Sequence, residues 1–235
     1  MIIDLPHFDE NTNIPFPQVN SSTPEGIVAV GGNLSPGMLL SAYRQGIFPW
    51  FSEGDPVVWW SPDPRCVLFP DEIHISRSMK KVLKRERFRI SLDTRFQDVI
   101  TACREAPRRG QDGTWITGEM RKAYIELHRL GYAHSIEVWD GERLAGGLYG
   151  VTLGSCFFAE SMFSSVTNGS KVALIRLSQI LDKWGFDLID CQLYSPHLER
   201  MGARQIPREE FIERLSVCLK KQTLRRNWSG ILDDS

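Results

Sequence analysis

The sequence predicts an α+β protein: a small N-terminal α/β domain over residues 1–64, followed by a larger domain over 65–235 with a mixed, mainly antiparallel sheet and flanking helices. Three observations carry this. Segments with helical periodicity alternate with short β-rich runs. Three consecutive strand-like runs after residue 133 are joined by tight turns, the first at the hairpin dipeptide Asp140-Gly141. The stretch 47–70 is dense in aromatics and carries Pro56, Pro62, Pro64 and Pro70, which forbid a long helix and set the two parts of the chain apart.

Residues 1–25 are rich in Pro, Asn and Ser and read as an irregular arm. Gly26 to Val30 is a short apolar strand ended by Gly31-Gly32. Ser35-Pro36 places an N-cap and a first-turn proline before a helix over Met38 to Tyr43, and Gly46 stops it. Arg77 to Lys84 reads as a basic helix, Phe88 to Leu92 as an alternating strand and Phe96 to Glu105 as a helix. A basic loop follows at 107–113. Glu119 to Leu130 is helical, with Gly131 as its stop. Ser135 to Trp139, Leu144 to Thr152 and Cys156 to Phe163 are the three antiparallel strands. Ser170 to Trp184 is an amphipathic helix with Leu174, Leu177, Leu181 and Trp184 on one stripe. Phe186 to Leu193 is a largely apolar strand. Short helices near 196–201 and 208–221 close the chain.

Length and composition narrow the function. At 235 residues the chain buries about 70% of its unfolded surface without disulfides or metals. Its five cysteines, at 66, 103, 156, 191 and 218, form no C-x-x-C motif and no disulfide framework, which fits a reducing compartment. No basic segment precedes an apolar core at the N-terminus, and the longest uncharged stretch, Gly26 to Tyr43, is broken by Gly, Pro, Asn and Ser. The expectation is a soluble, cytoplasmic protein with no membrane contact. The net charge of −1 hides an asymmetry: Arg77, Lys80, Lys81, Lys84, Arg85, Arg87 and Arg89 crowd one short segment of an otherwise acidic chain. Such a patch is either a solvated helix face or the footprint of a polyanion.

Three residue sets could carry chemistry. Asp190 and Gln192 share one face of an apolar strand, with Cys191 and Ile189 on the other. They need hydrogen-bond partners or a cavity. Glu160 sits in the apolar run Phe157 to Ser164, where an ionised carboxylate requires a partner, either a core arginine or a cationic substrate. Phe48, Trp50, Phe51, Trp59, Trp60 and Trp115 are aromatics that either fill a core or stack on exposed bases. There is no phosphate loop, no H-E-x-x-H and no G-x-S-x-G elbow. The five histidines lack metal-ligand spacing, and structural roles are expected for His128 and His134.

The ordered motifs Gln45-Gly46-Ile47-Phe48-Pro49-Trp50-Phe51, Trp59-Trp60-Ser61-Pro62-Asp63-Pro64-Arg65, Gly113-Thr114-Trp115-Ile116-Thr117, Ala133 to Trp139, Glu160-Ser161-Met162-Phe163-Ser164 and Leu188-Ile189-Asp190-Cys191-Gln192 together resemble the bacterial leucyl/phenylalanyl-tRNA–protein transferases. The resemblance spans nearly the whole chain. It implies a C-terminal domain like the GNAT acyltransferases. It also implies transfer of Leu or Phe, with Met a further donor, from aminoacyl-tRNA to the α-amine of proteins beginning with Arg or Lys, which marks them for N-end rule degradation. The aminoacyl ester is already activated, so no cofactor and no metal are expected.

By the same resemblance, Gln192, oriented by Asp190, contacts the attacking amine, and Glu160 with Asp190 supplies the negative field for a basic acceptor. An amide is a very poor base, so positioning is the expected contribution of Gln192. Trp50 and Trp115 match positions that stack the terminal adenosine. Leu148, Phe157, Met162, Leu174, Leu177 and Ile189 are the candidates for the donor side-chain pocket. Arg77, Lys80, Lys81, Lys84 and Arg85 are the expected tRNA phosphate contacts. Asp190→Ala and Gln192→Ala are expected to lose transfer while staying folded. The alternatives are a CoA-dependent GNAT acetyltransferase, which lacks a fitting pyrophosphate loop here, and a non-enzymatic RNA-binding module, which leaves Glu160 and Asp190 unexplained.

Overall fold

The structure, a computed structural model, describes residues 7–106 and 115–230. The basic loop expected at 107–113 and the Gly113-Thr114 part of its motif lie outside the described residues. The elements are β1 (Ile27–Val30), α1 (Pro36–Arg44), β2 (Phe48–Pro49), β3 (Val58–Trp60), β4 (Arg65–Leu68), α2 (Arg77–Lys84), β5 (Phe88–Leu92), α3 (Phe96–Glu105), α4 (Gly118–Arg129), β6 (Ala133–Asp140), β7 (Arg143–Leu153), β8 (Cys156–Ser164), α5 (Gly169–Lys183), β9 (Leu188–Gln192), α6 (Pro196–Glu199), β10 (Arg204–Ile206) and α7 (Arg208–Cys218).

Local chemistry accounts for most boundaries. Ser76 caps α2 by accepting from the Met79 amide at 3.3 Å, and Thr117 caps α4 by accepting from the Met120 amide at 3.1 Å. Ser35 stands at the N-cap of α1 as expected, but its hydroxyl makes no cap bond. The free Gly37 amide donates instead to the Phe8 carbonyl at 3.0 Å, so the N-terminal arm takes the capping role. The hairpin at Asp140-Gly141 forms, with Gly141 at φ 61°. Strands β2, β3, β4 and β10 were not legible in the sequence, because each spans only two to four residues, too short for a period to show.

The strands make two sheets. The smaller is antiparallel, in the order β1-β3-β2, and the larger runs β10-β4-β9-β8-β7-β6-β5. Every neighbouring pair of the larger sheet is antiparallel except β8–β9. That parallel pair requires a crossover, which α5 supplies. This is the mixed, mainly antiparallel sheet with flanking helices that the sequence predicts.

Both faces of the larger sheet are covered. One core joins α1, α3, α4 and α7 to the small sheet through Leu39, Tyr43, Phe96, Tyr124, Phe158 and Phe211. The other joins α2 and α5 through Met79, Leu148, Phe157, Leu174, Leu177 and Ile189. Burying each leucine of the α5 stripe contributes about 2 kcal/mol. The N-terminus of α5 rests directly on β7: a Cβ on Gly146 would lie 2.5 Å from the Gly169 carbonyl carbon. Only paired glycines allow that approach, and it fixes α5 so that Leu174 faces the sheet. Among the described residues no helix is long and apolar enough to cross a membrane.

Candidate active site

The site forms where the parallel pair parts. β8 and β9 keep register through Cys156–Leu188, Phe157–Ile189 and Phe158–Asp190, and pairing stops there. Each strand bulges just beyond. On β8 the register shifts between Tyr149 and Gly150 of the neighbouring β7, which leaves Glu160 as the extra residue. On β9 the shift against β4 leaves Cys191 extra, and Gln192 adopts left-handed backbone at φ 62°. Bulges redirect side chains and end pairing. In a regular strand Glu160 and Met162 would share a face. Here Glu160 meets the tyrosines of α1 and α4, while Met162 packs with the α5 core.

Glu160 is held by neutral donors. Its Oε1 accepts from Tyr43 Oη at 2.8 Å and from Gln192 Nε2 at 2.9 Å, and its Oε2 accepts from Tyr124 Oη at 2.9 Å. The two tyrosine hydroxyls also touch each other. Burial pushes the Glu160 carboxyl up to about 7, and the Asp190 charge adds to the rise, while the hydrogen bonds from Tyr43, Tyr124 and Gln192 oppose it. Burial beside Glu160 drives both tyrosines well above their ordinary range, so they remain proton donors. The carboxyl is therefore poised between its charged and neutral forms near neutral pH.

Asp190 and Gln192 turn to the Glu160 side of β9, and Cys191 turns to the α5 side, as strand alternation predicts. Asp190, however, does not line the cavity. Its carboxylate is fully buried and chelated by Arg65, through Nε at 2.8 Å and Nη2 at 2.7 Å. The Arg65 guanidinium lies between the Phe48 and Phe211 rings, 4.8 and 4.5 Å from their centroids. Asp190 Oδ1 also accepts from the Gln192 backbone amide at 2.9 Å. Asp190 thus acts on Gln192 through the main chain, and the core arginine that Glu160 was free to take belongs to Asp190. Replacing Asp190 strands a buried guanidinium, so the expectation that Asp190→Ala stays folded gives way to a destabilised variant.

Glu160 and Gln192 open onto a cavity of about 380 Å³. Of the donor-pocket candidates, Leu148, Met162 and Leu174 line it, together with Phe48, Ala159, Cys191, Leu193 and Leu198. Phe157, Leu177 and Ile189 are not in its wall. They pack behind it in the α5 core. Trp50 and Trp115, from loops far apart in sequence, both line the cavity. The Trp50 carbonyl accepts from Trp60 Nε1 at 2.7 Å, and the two indoles meet with centroids 5.6 Å apart, which holds the loop. Among the described residues Glu160 is the one acid in the lining, and no described Lys, Arg or His joins it.

The basic residues Arg77, Lys80, Lys81, Lys84 and Arg85 are exposed on and just after α2, and none lines the cavity. Beneath them Met79 packs into the core that walls the cavity. His128 and His134 are structural, as expected: His128 Nδ1 meets the Ala133 carbonyl at 2.7 Å, and His134 Nδ1 meets Asp93 at 2.8 Å. Among the described residues no group of three or more His, Cys, Asp or Glu side chains is placed to hold a metal ion.

Sequence reasoning missed Tyr43, Tyr124 and Arg65. The signal was indirect. Two acids in apolar strands demanded donors, but helix and strand periodicity cannot say which distant hydroxyl or guanidinium supplies them.

Two family models match the chain. Leucyl/phenylalanyl-tRNA protein transferase matches residues 67–216, and the N-terminal domain model of the same description matches 32–63. A leucyl/phenylalanyl-tRNA–protein transferase of Syntrophus aciditrophicus is 57% identical, over 92% of this chain and 90% of its own. Proteins of the same name from Anaeromyxobacter sp. strain Fw109-5 and Pseudomonas syringae pv. syringae are 53% and 52% identical, covering 92% and 95% of their lengths and 92% and 93% of this chain. Among solved structures, a GCN5-related N-acetyltransferase from Kribbella flavida superposes with a TM-score of 0.38 at 8% identity, covering 73% of this chain and 61% of that one. That likeness is weak, and the α+β architecture rests on the sheet itself.

Proposed function

The chain belongs to the leucyl/phenylalanyl-tRNA protein transferase family, and from that premise we propose how its cavity performs aminoacyl transfer. The protein is an aminoacyltransferase, acting on aminoacyl-tRNA and on protein N-termini. Family membership sets aside the acetyltransferase and the non-enzymatic RNA-binding module. The single observation that carries the site assignment is the hydrogen-bonded pair Glu160–Gln192 at the parting of β8 and β9, on the wall of an otherwise largely apolar cavity.

The acceptor's α-amine attacks the carbonyl carbon of the aminoacyl ester. A C–N bond forms, the ester C–O bond breaks, and the ribose hydroxyl of the tRNA leaves with a proton. An α-ammonium group has a pKa of about 8, and Glu160 sits at about 7. Proton transfer between them is therefore nearly balanced, the condition that general base catalysis favours. Gln192 turns its Nε2 to Glu160, which leaves its amide oxygen to accept from the amine and aim the lone pair at the ester. Asp190 and Arg65 hold Gln192 in that pose.

We assign the side chain of Leu or Phe to the pocket of Leu148, Met162 and Leu174, where a methionine repacks around either shape. Trp50 and Trp115 stack the terminal adenosine, and the α2 cations contact phosphates without reading sequence. The buried acid Glu160, with no base beside it among the described lining residues, favours a cationic acceptor, which supports Arg or Lys at the N-terminus. Asp190, paired with Arg65 and outside the lining, adds to that field from behind Glu160. We place the reaction in the cytoplasm, in line with five buried free thiols, and the product in N-end rule degradation.

The test mixes purified protein with leucine-labelled Leu-tRNA and a peptide beginning with Arg, with an Ala peptide as control. Label in the Arg peptide alone is the expected result. Label in both peptides overturns the acceptor assignment. Label in neither, with charged tRNA intact, overturns the reading.

A further inference from the structure

Cys66 and Cys191 stand out among the five thiols. The β4–β9 ladder pairs Cys66 with Gln192 and Val67 with Asp190, so Cys191 and Gln192 together oppose Cys66. Both thiols turn to the α5 side and belong to one buried cluster, and Cys191 Sγ donates to the Ile189 carbonyl at 4.0 Å. Residues opposed across an antiparallel pair have Cβ atoms roughly 4.5–5.5 Å apart, and a disulfide needs roughly 3.5–4.5 Å. As the bulge residue, Cys191 stands outside the ladder pairing, so closing that gap breaks no ladder register. Cys191 also lines the cavity, while Cys66 sits fully buried behind it. A reagent that enters the cavity therefore meets one sulfur with a second sulfur in reach.

We propose that Cys66 and Cys191 form an oxidisable dithiol site in the cavity wall, closed to a disulfide by a hydroperoxide, and that closure stops aminoacyl transfer. The functional half of this rests on the assignment of the cavity to the aminoacyl group. The Cys191 sulfur attacks the terminal oxygen of the hydroperoxide and becomes a sulfenic acid, releasing the alcohol. The Cys66 sulfur then displaces hydroxide from Cys191, forming the S–S bond and releasing water with the Cys66 proton. Two thiols are oxidised and one peroxide is reduced. Drawing Cys191 toward β4 shifts the bulge that presents Gln192 and reshapes the wall opposite Leu174.

The test treats the full-length protein with tert-butyl hydroperoxide and follows three readouts. The expected results are loss of the mass of two hydrogens, a non-reducing peptide map that joins the Cys66 and Cys191 peptides, and loss of most transfer activity that dithiothreitol restores. Cys66→Ala, with Cys66→Ser as the second variant should alanine weaken the fold, keeps basal transfer and, lacking the second sulfur, gains one oxygen at Cys191 instead of losing two hydrogens. The proposal is overturned by unchanged mass, by a bond between other cysteines, by a disulfide that leaves transfer intact, or by Cys66 variants that still lose two hydrogens. Activity lost without recovery in dithiothreitol also overturns it, since that marks methionine oxidation, for example at Met162. A protein that shows no transfer at all still gives the mass and peptide readouts, so failure of the cavity assignment is separable from failure of the dithiol.

Discussion

Gln192 Nε2 donates to Glu160 Oε1 at 2.9 Å, although the two residues stand on neighbouring strands whose pairing has already ended. An amide that spends one donor on a buried carboxylate is fixed in orientation. A carboxylate held only by neutral donors keeps its affinity for a proton.

Glu160→Gln preserves shape and removes the titrating group. Transfer in a single turnover should fall roughly 10²–10⁴-fold. The parent's rate should rise with pH to a plateau above about 7, and the variant should lose that inflection. An unchanged inflection in the variant would assign it to another group.

The same substitution has a stability signature of known sign. The folded pKa of Glu160, about 7, lies above the ordinary 4.5. Its contribution is therefore fully present below pH 4.5 and is lost as pH rises through 7. Glu160→Gln should gain stability relative to the parent between pH 5 and 8, by on the order of 3 kcal/mol at most. Denaturant titrations of both proteins at the two pH values measure it, and a constant difference would contradict the buried titration.

Arg65 and Asp190 separate folding from positioning. Arg65→Met or Asp190→Leu alone leaves a buried charge without its partner and should cost roughly 3–5 kcal/mol. The double variant should regain most of that stability. It should not regain transfer, because the Gln192 amide loses the Asp190 carboxylate that holds it. Recovery of both in the double variant would show that Asp190 serves the fold alone.

Trp50→Ala and Trp115→Ala should each raise the KM for Leu-tRNA by the equivalent of about 1–3 kcal/mol, with the KM for the peptide unchanged. Trp50→Phe should recover much of the loss, since a ring remains to stack. Equal shifts for both substrates would point to a damaged cavity rather than a lost stack.

Replacing Lys80, Lys81 and Lys84 by Gln should weaken tRNA binding and flatten its salt dependence by about 0.9 in log–log slope for each phosphate contact removed. Equilibrium binding across a salt series reads this directly. An unchanged slope would return α2 to the status of a solvated face.

The sequence by itself determined the elements whose period is long enough to show. The boundaries of α2 (Arg77–Lys84), β5 (Phe88–Leu92) and α3 (Phe96–Glu105) follow from local pattern, and Asp140-Gly141 turns its hairpin without help from the rest of the chain. It also singled out Glu160, Asp190 and Gln192, because a polar group in an apolar strand is conspicuous wherever it lies. Only the tertiary structure decided what those groups meet. Bulges at Glu160 and Cys191 depend on which strands become neighbours, so no period could place Glu160 and Met162 on opposite faces. Tyr43 lies 117 residues from Glu160, and Arg65 lies 125 from Asp190. Burial removes water as a partner and makes those distant donors obligatory, but it takes a folded chain to bring them within reach.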